Sequence, residues 1–117
     1  MSRDVLRDLD PALGQWFRSQ FPGATEIQKK ALPLTGSGKN TLILAPTGSG
    51  KTLSAFLSAL STLAKNARRA PLANAVAVVY VSPLKSLDRD IQRNLEAPLA
   101  AINNDLPPAH RIRISVR

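Results

Sequence analysis

Thr41-Leu42-Ile43-Leu44-Ala45-Pro46-Thr47-Gly48-Ser49-Gly50-Lys51-Thr52-Leu53-Ser54-Ala55-Phe56-Leu57 decides how this chain of 117 residues is read. Its first five residues are short and apolar throughout, the pattern of a buried strand. From Lys51 onward Leu53, Phe56, Leu57, Leu60, Leu63 and Ala64 recur as one apolar stripe, which predicts an amphipathic helix. The glycine-rich turn between them sits where a phosphate-binding loop needs to be, after a strand and before a helix. A triphosphate crowds several charged oxygens into a small volume and needs many donors close together. Gly48 and Gly50 let the backbone wrap tightly with its N–H groups turned inward. The positive end of the helix dipole adds to them at the same place. Lys51 supplies a point charge for the β and γ phosphates, and Thr52 can offer its hydroxyl to the Mg²⁺ that accompanies a nucleotide. The expected cradle therefore runs over Ala45, Pro46, Thr47, Gly48, Ser49, Gly50, Lys51 and Thr52, with Ala45 standing where the usual pattern has Gly.

Just upstream, Gly36-Ser37-Gly38-Lys39 also reads Gly-x-Gly-Lys. Asn40 replaces the hydroxyl residue that would reach a metal, no strand precedes it, and a strand rather than a helix follows. It is expected to be a turn.

Further towards the amino terminus, Val5, Leu6, Leu9, Leu13, Trp16, Phe17 and Phe21 recur at helical spacing, and Pro11 is placed to open a helix. Thr25 and Gln28 have the spacing of a capping box at the start of another, which takes in Ile27, Ala31 and Leu32 and meets Pro33. Towards the carboxyl terminus, residues 75–81 are predicted as a second buried strand. Leu87, Ile91 and Leu95 mark a third amphipathic helix, with Pro98 starting or kinking its extension. Ile112, Ile114 and Val116 alternate with basic residues as a third strand. Strand, helix, strand, helix, strand implies an α/β fold with a parallel sheet and right-handed crossovers. The third strand has no helix after it to cover the sheet, so a truncated domain of a longer protein is expected.

Sixteen Lys and Arg against eight Asp and Glu leave a formal charge of +8. Residues 1–28 carry three bases and four acids, and residues 29–117 thirteen bases and four acids. A surplus of that kind suits a polyanionic partner, or else only a well-solvated surface. Without cysteine the chain has neither a disulfide framework nor a thiolate metal site. No apolar run approaches the roughly 20 residues that cross a bilayer. The opening Met1-Ser2-Arg3-Asp4-Val5 lacks the form of a leader, so a cytoplasmic protein with no membrane partner is expected.

Ala45-Pro46-Thr47-Gly48-Ser49-Gly50-Lys51-Thr52, Ala included, resembles the first motif of superfamily 2 nucleic-acid helicases of DEAD/DEAH-box type. Phe21-Pro22-Gly23-Ala24-Thr25-Glu26-Ile27-Gln28 is similar to their Q motif, with Ala24 in place of the usual Pro. The run from Val81 to Asp90, Val-Ser-Pro-Leu-Lys-Ser-Leu-Asp-Arg-Asp, resembles motif Ia. Together with Arg93-Asn94-Leu95-Glu96-Ala97-Pro98-Leu99, its wording is similar to the large helicase-related (Lhr) branch. The resemblance covers nearly the whole chain from about Leu9. It implies a RecA-like, three-layer ATP-binding domain, truncated, over residues 36–117, preceded by a helical lead-in over residues 1–35.

The resemblance also implies ATP and Mg²⁺ as cofactors and single-stranded DNA or RNA as partner. It further implies a second RecA-like domain in the parent protein and a role in unwinding or DNA repair. Gln28 would read the N6 and N7 edge of adenine, which a carboxamide's acceptor and donors allow. The same side chain could instead only close the capping box, or do both in different nucleotide states. Phe21, and less directly Phe17, would pack near the base unless helix packing claims them. Ser82, Pro83, Leu84, Lys85, Ser86 and Arg89 would contact one nucleic-acid strand, and Lys51 and Thr52 would act on the phosphates during turnover. Helicases of this type hold Mg²⁺ and position water with an Asp-Glu-x-His/Asp motif, which the 117 residues do not contain. Turnover by these residues alone is therefore not expected. Two other readings stay open, a different P-loop enzyme such as a small-molecule kinase and a non-catalytic nucleic-acid-binding module.

Overall fold

The computed structural model describes residues 4–46, 51–81 and 85–115; for Lys51 and residues 85–93 it describes the backbone alone. The chain divides into two compact units, Met1–Thr62 and Leu63–Arg117.

The first unit is opened by side-chain caps. Asp4 accepts a hydrogen bond from Leu6 N–H at 3.1 Å and so starts a short 3-10 turn over Val5–Asp8. That backbone donor, helped by the Arg18 guanidinium 3.1 Å from the other carboxylate oxygen, holds the Asp4 carboxyl below its ordinary pKa. Asp10 then caps helix α1 (Pro11–Gln20), its Oδ2 accepting Ala12 N–H at 3.1 Å. Pro11 sits at the first helical position, where the N–H it lacks would have had no partner within the helix. Helix α2 (Glu26–Thr35) begins with a complete capping box and contains Pro33. It closes when Gly36 N–H reaches Leu32 O at 2.8 Å and Lys39 N–H reaches Leu34 O at 3.2 Å. Gly38 makes this turn possible with φ of 78°, a left-handed conformation that favours glycine. The segment Gly36-Ser37-Gly38-Lys39 is thus the turn that its sequence predicts.

Helix α3 (Lys51–Arg69) contributes to the first unit as far as Thr62. Phe56, Leu57 and Leu60 are buried, as are Leu6, Leu9, Leu13, Phe17 and Leu32 of the lead-in. Leu53, which the apolar stripe includes, is only half-buried. Buried with the apolar residues are three serines, Ser54, Ser58 and Ser61, which lie along one helical face at spacings of four and three. Ser61 Oγ accepts the backbone N–H of Asp10 at 2.8 Å, and Ser58 Oγ lies 2.7 Å from Thr35 Oγ1.

The second unit holds the end of α3 and helix α4 (Lys85–Asn104), which runs through Pro98 without ending there. Among its described residues Ala64, Ala67, Leu95, Leu99, Ile102, Leu106 and Ile112 are buried. Two polar side chains tie the returning strand-like segment down. The Asn103 carboxamide takes Ile112 N–H at 2.8 Å and donates to Ile112 O at 3.0 Å, as a neighbouring strand's backbone would. His110 Nδ1 lies 2.6 Å from the carbonyl of Ala67 in the last turn of α3, where an orphan acceptor needs a partner. His110, half-buried, is thereby tied to α3.

Among the described residues there is no β-ladder. The segments 41–46, 75–81 and 111–115 run without strand pairing, and side chains expected to be buried are open: Leu42 is 83% and Val81 84% exposed. A strand is completed by its neighbours. Each backbone N–H and C=O needs a partner on an adjacent strand, and both faces of a parallel sheet need cover.

Candidate functional site

Three parts of the expected nucleotide site fall in the first unit. Gln28 is buried, 2% exposed, at the third position of α2. Its Oε1 accepts Thr25 N–H at 2.9 Å while its own N–H donates to Thr25 Oγ1 at 3.3 Å. The capping-box reading of this residue is thus realised.

Phe21 follows the end of α1, its N–H bonded to Phe17 O at 2.9 Å. Its ring centroid is 4.8 Å from that of Phe17, in a tilted arrangement, and 6.1 Å from Trp16 edge-to-face. Phe17 is wholly in the core, whereas Phe21 keeps 39% of its surface open. The structure therefore separates the two rings. Phe17 belongs to the core, and Phe21 packs on it while part of its surface stays open.

Ala45 and Pro46 lead towards the loop, Ala45 half-buried and Pro46 exposed. Thr47, Gly48, Ser49 and Gly50 lie outside the described residues. Lys51 and Thr52 occupy the first turn of α3, and Thr52 is exposed. That first turn contains no acidic residue. The amide N–H groups at this end, which no helical carbonyl can reach, and the positive end of the helix dipole thus face no competing carboxylate from their own turn. An exposed hydroxyl, a lysine and the amide groups of a helix amino terminus suit a phosphate group with its Mg²⁺. Among the described residues no cluster of three His, Cys, Asp or Glu could hold a metal ion by itself.

The expected nucleic-acid contacts belong to the second unit. Ser82, Pro83 and Leu84 lie outside the described residues. Lys85 is the first residue of α4, and Ser86 and Arg89 follow within its first turns. The charge of this helix balances, with Lys85, Arg89 and Arg93 against Asp88, Asp90 and Glu96. Any attraction for a phosphate strand must therefore come from how these groups are arranged. No helix among the described residues is long and apolar enough to cross a membrane.

The apolar stripe of α3 gives no notice of its buried serines. The signal was present in their positions, 54, 58 and 61, on a single face of a helix.

Comparison with known proteins adds an independent line. Residues 25–111 match the DEAD/DEAH box helicase family. The chain is 49% identical over 103 residues to the ATP-dependent helicase Lhr-Core of Methanothermobacter thermautotrophicus, covering 88% of this chain and 12% of that protein. It is 44% identical over 118 residues to the Lhr helicase and probable uracil glycosylase of Mycolicibacterium smegmatis, covering 97% of this chain and 8% of that protein. Among solved structures, that of Mycobacterium smegmatis helicase Lhr bound to ssDNA and AMP-PNP superposes with a TM-score of 0.75 at 38% identity. The match takes in 92% of this chain and 14% of that one. The chain thus spans only a small part of the length of the relatives it resembles.

Proposed function

The chain belongs to the DEAD/DEAH box helicase family, and on that premise we propose that it is the ATP-binding and nucleic-acid-binding segment of an Lhr-type ATP-dependent helicase. The observation that carries this reading is the start of α3. Lys51 and Thr52 stand in the first turn of a 19-residue helix with no acidic residue in that turn, directly after Pro46-Thr47-Gly48-Ser49-Gly50. Lys51 and the backbone donors of Ala45–Thr52 grip the triphosphate. Thr52 offers its hydroxyl to Mg²⁺, which supplies neutralising charge for the β and γ oxygens when bound.

Gln28 reads adenine through its carboxamide, and the Phe21 ring covers the base. Residues 1–35 act as the helical lead-in that presents these two side chains, and residues 36–117 as the beginning of a RecA-like domain. Its parallel sheet would take up residues 41–45, 75–81 and 112–116. The high exposure of Leu42 and Val81 supports this, since such side chains gain about 1.5–3 kcal/mol each when covered. Ser82, Pro83, Leu84, Lys85, Ser86 and Arg89 contact the backbone of a single DNA or RNA strand at the start of α4. Hydrolysis and strand movement are activities of the whole protein, in which a second RecA-like domain and an acidic motif join this segment.

Equilibrium titration of the chain with ATP and GTP tests the reading. Tighter binding of ATP is expected, and equal affinity for the two would remove the adenine contact. Binding of neither would remove the phosphate cradle.

A further inference from the structure

Ser58 and Ser61 are buried polar residues in a helix whose other buried positions are mostly apolar. Each bonds to one end of the lead-in. Ser61 Oγ accepts the N–H of Asp10, the residue that caps α1, at 2.8 Å. Ser58 Oγ lies 2.7 Å from the hydroxyl of Thr35, the last residue of α2. Thr35 Oγ1 is also 3.2 Å from Ala31 O and 3.4 Å from Leu32 O, in its own helix. A hydroxyl has one proton. If Thr35 donates back to its helix, Ser58 is the donor between them, and both groups are satisfied.

The position of this joint matters more than its energy. Gln28 precedes Thr35 by the same number of residues as Lys51 precedes Ser58. At about 1.5 Å of rise per residue, each lies about 10 Å along its own helix from the bonded hydroxyls. One contact therefore links the helix that carries the base-reading side chain to the helix that carries the phosphate-gripping one. Apolar contacts are non-directional, whereas a hydrogen bond is strict in distance and angle. A hydrogen bond of this length is lost after a slide of roughly 1 Å, about the tolerance of the contacts to an adenine edge.

We propose that the Thr35–Ser58 hydroxyl pair is a positioning device. It fixes the register of α2 on α3 and so sets the preference of the site for adenine. Neither Thr35 nor Ser58 touches the nucleotide; both act through Gln28 and the start of α3. The proposal rests on the reading of Gln28 as the adenine contact.

The test is calorimetric titration of the full chain with ATP, GTP and inorganic tripolyphosphate. The variants are Thr35→Val, Ser58→Ala, the two combined, and Thr35→Ser, with helix content followed by circular dichroism. Either single variant is expected to lower the ATP-to-GTP preference roughly threefold to tenfold, the range of one hydrogen bond. Tripolyphosphate affinity should stay within about twofold, and Thr35→Ser should keep the preference because it keeps the hydroxyl. The double variant removes both polar groups, leaves no buried hydroxyl unpaired and should be no worse than the poorer single. It therefore carries the measurement if a single variant fails to fold. An unchanged preference in Ser58→Ala and in the double variant overturns the proposal alone. So does a fall in tripolyphosphate affinity by the same factor as ATP, which marks a merely structural role. An unsubstituted chain that binds ATP and GTP equally overturns the Gln28 reading, and the proposal with it.

Discussion

Replacing Gln28 by alanine separates the two roles of one side chain. In the structure Gln28 Oε1 accepts Thr25 N–H at 2.9 Å, and the residue is 2% exposed. Truncation removes that hydrogen bond, worth about 0.5–1.5 kcal/mol, and most of a buried side chain besides. A total loss of about 1–3 kcal/mol in folding stability is expected. The two adenine contacts proposed for it would vanish as well, which at about 0.5–1.5 kcal/mol each corresponds to a roughly 5- to 150-fold loss of ATP affinity. Affinity for GTP should fall far less. Thr25→Ala is the matched control. It breaks the capping box from the other side, costs about 1 kcal/mol of stability, and leaves the carboxamide in place to meet the base. The assay pairs a chemical-denaturation midpoint with ATP and GTP affinities for the same preparations. If Gln28→Ala lost stability but kept its preference for ATP, the side chain would be a cap and nothing more. If Thr25→Ala lost the preference as fully as Gln28→Ala, base reading could not be assigned to Gln28 itself.

Three other outcomes follow from the geometry. Asn103→Ala leaves the backbone N–H and C=O of buried Ile112 without their partners, so thermal melting should report a loss of about 2–4 kcal/mol; a change below about 0.5 kcal/mol would contradict the pairing. Asp4 has a folded pKa below its unfolded value of about 3.9, so what its bonds to Leu6 and Arg18 contribute is complete above that value and disappears as pH falls through the lowered one. Asp4→Asn should flatten that part of an acid-unfolding profile below about pH 4, and an unaltered profile would count against the cap. Binding of single-stranded DNA should weaken with salt at a log–log slope of about −0.7 per phosphate contacted, and a slope near zero would leave the contacts assigned to residues 82–89 without support.

Local chemistry was readable in the sequence wherever one short segment decides it. Thr25 and Gln28 form the capping box that their spacing predicts. Pro11 opens α1 and Gly38 turns the chain after α2. The start of α3 at Lys51 matches the end of the glycine-rich run. Contacts between distant residues were not readable. Asp10 meets Ser61 and His110 meets Ala67, pairs separated by 51 and 43 positions, and nothing in either residue's own neighbourhood announces the other. The serines at 54, 58 and 61 look like solvent-facing positions until the elements that cover them are known. The apolar runs at 41–45 and 75–81 show the opposite case. Their composition carries the tendency to be buried, but burial also needs adjacent strands and covering helices. Of the site itself, Phe21 and Gln28 can be compared with their expected roles, whereas Thr47–Gly50 and Ser82–Leu84 fall outside the described residues.

The central claim is that the first turn of α3 grips a triphosphate through Lys51. Its most direct test is the affinity of the chain for ATP before and after Lys51→Ala, with helix content followed in the same samples. The account predicts measurable ATP binding in the unsubstituted chain and none within the titration range for Lys51→Ala, with helix content unchanged. ATP binding undiminished by the substitution would contradict it.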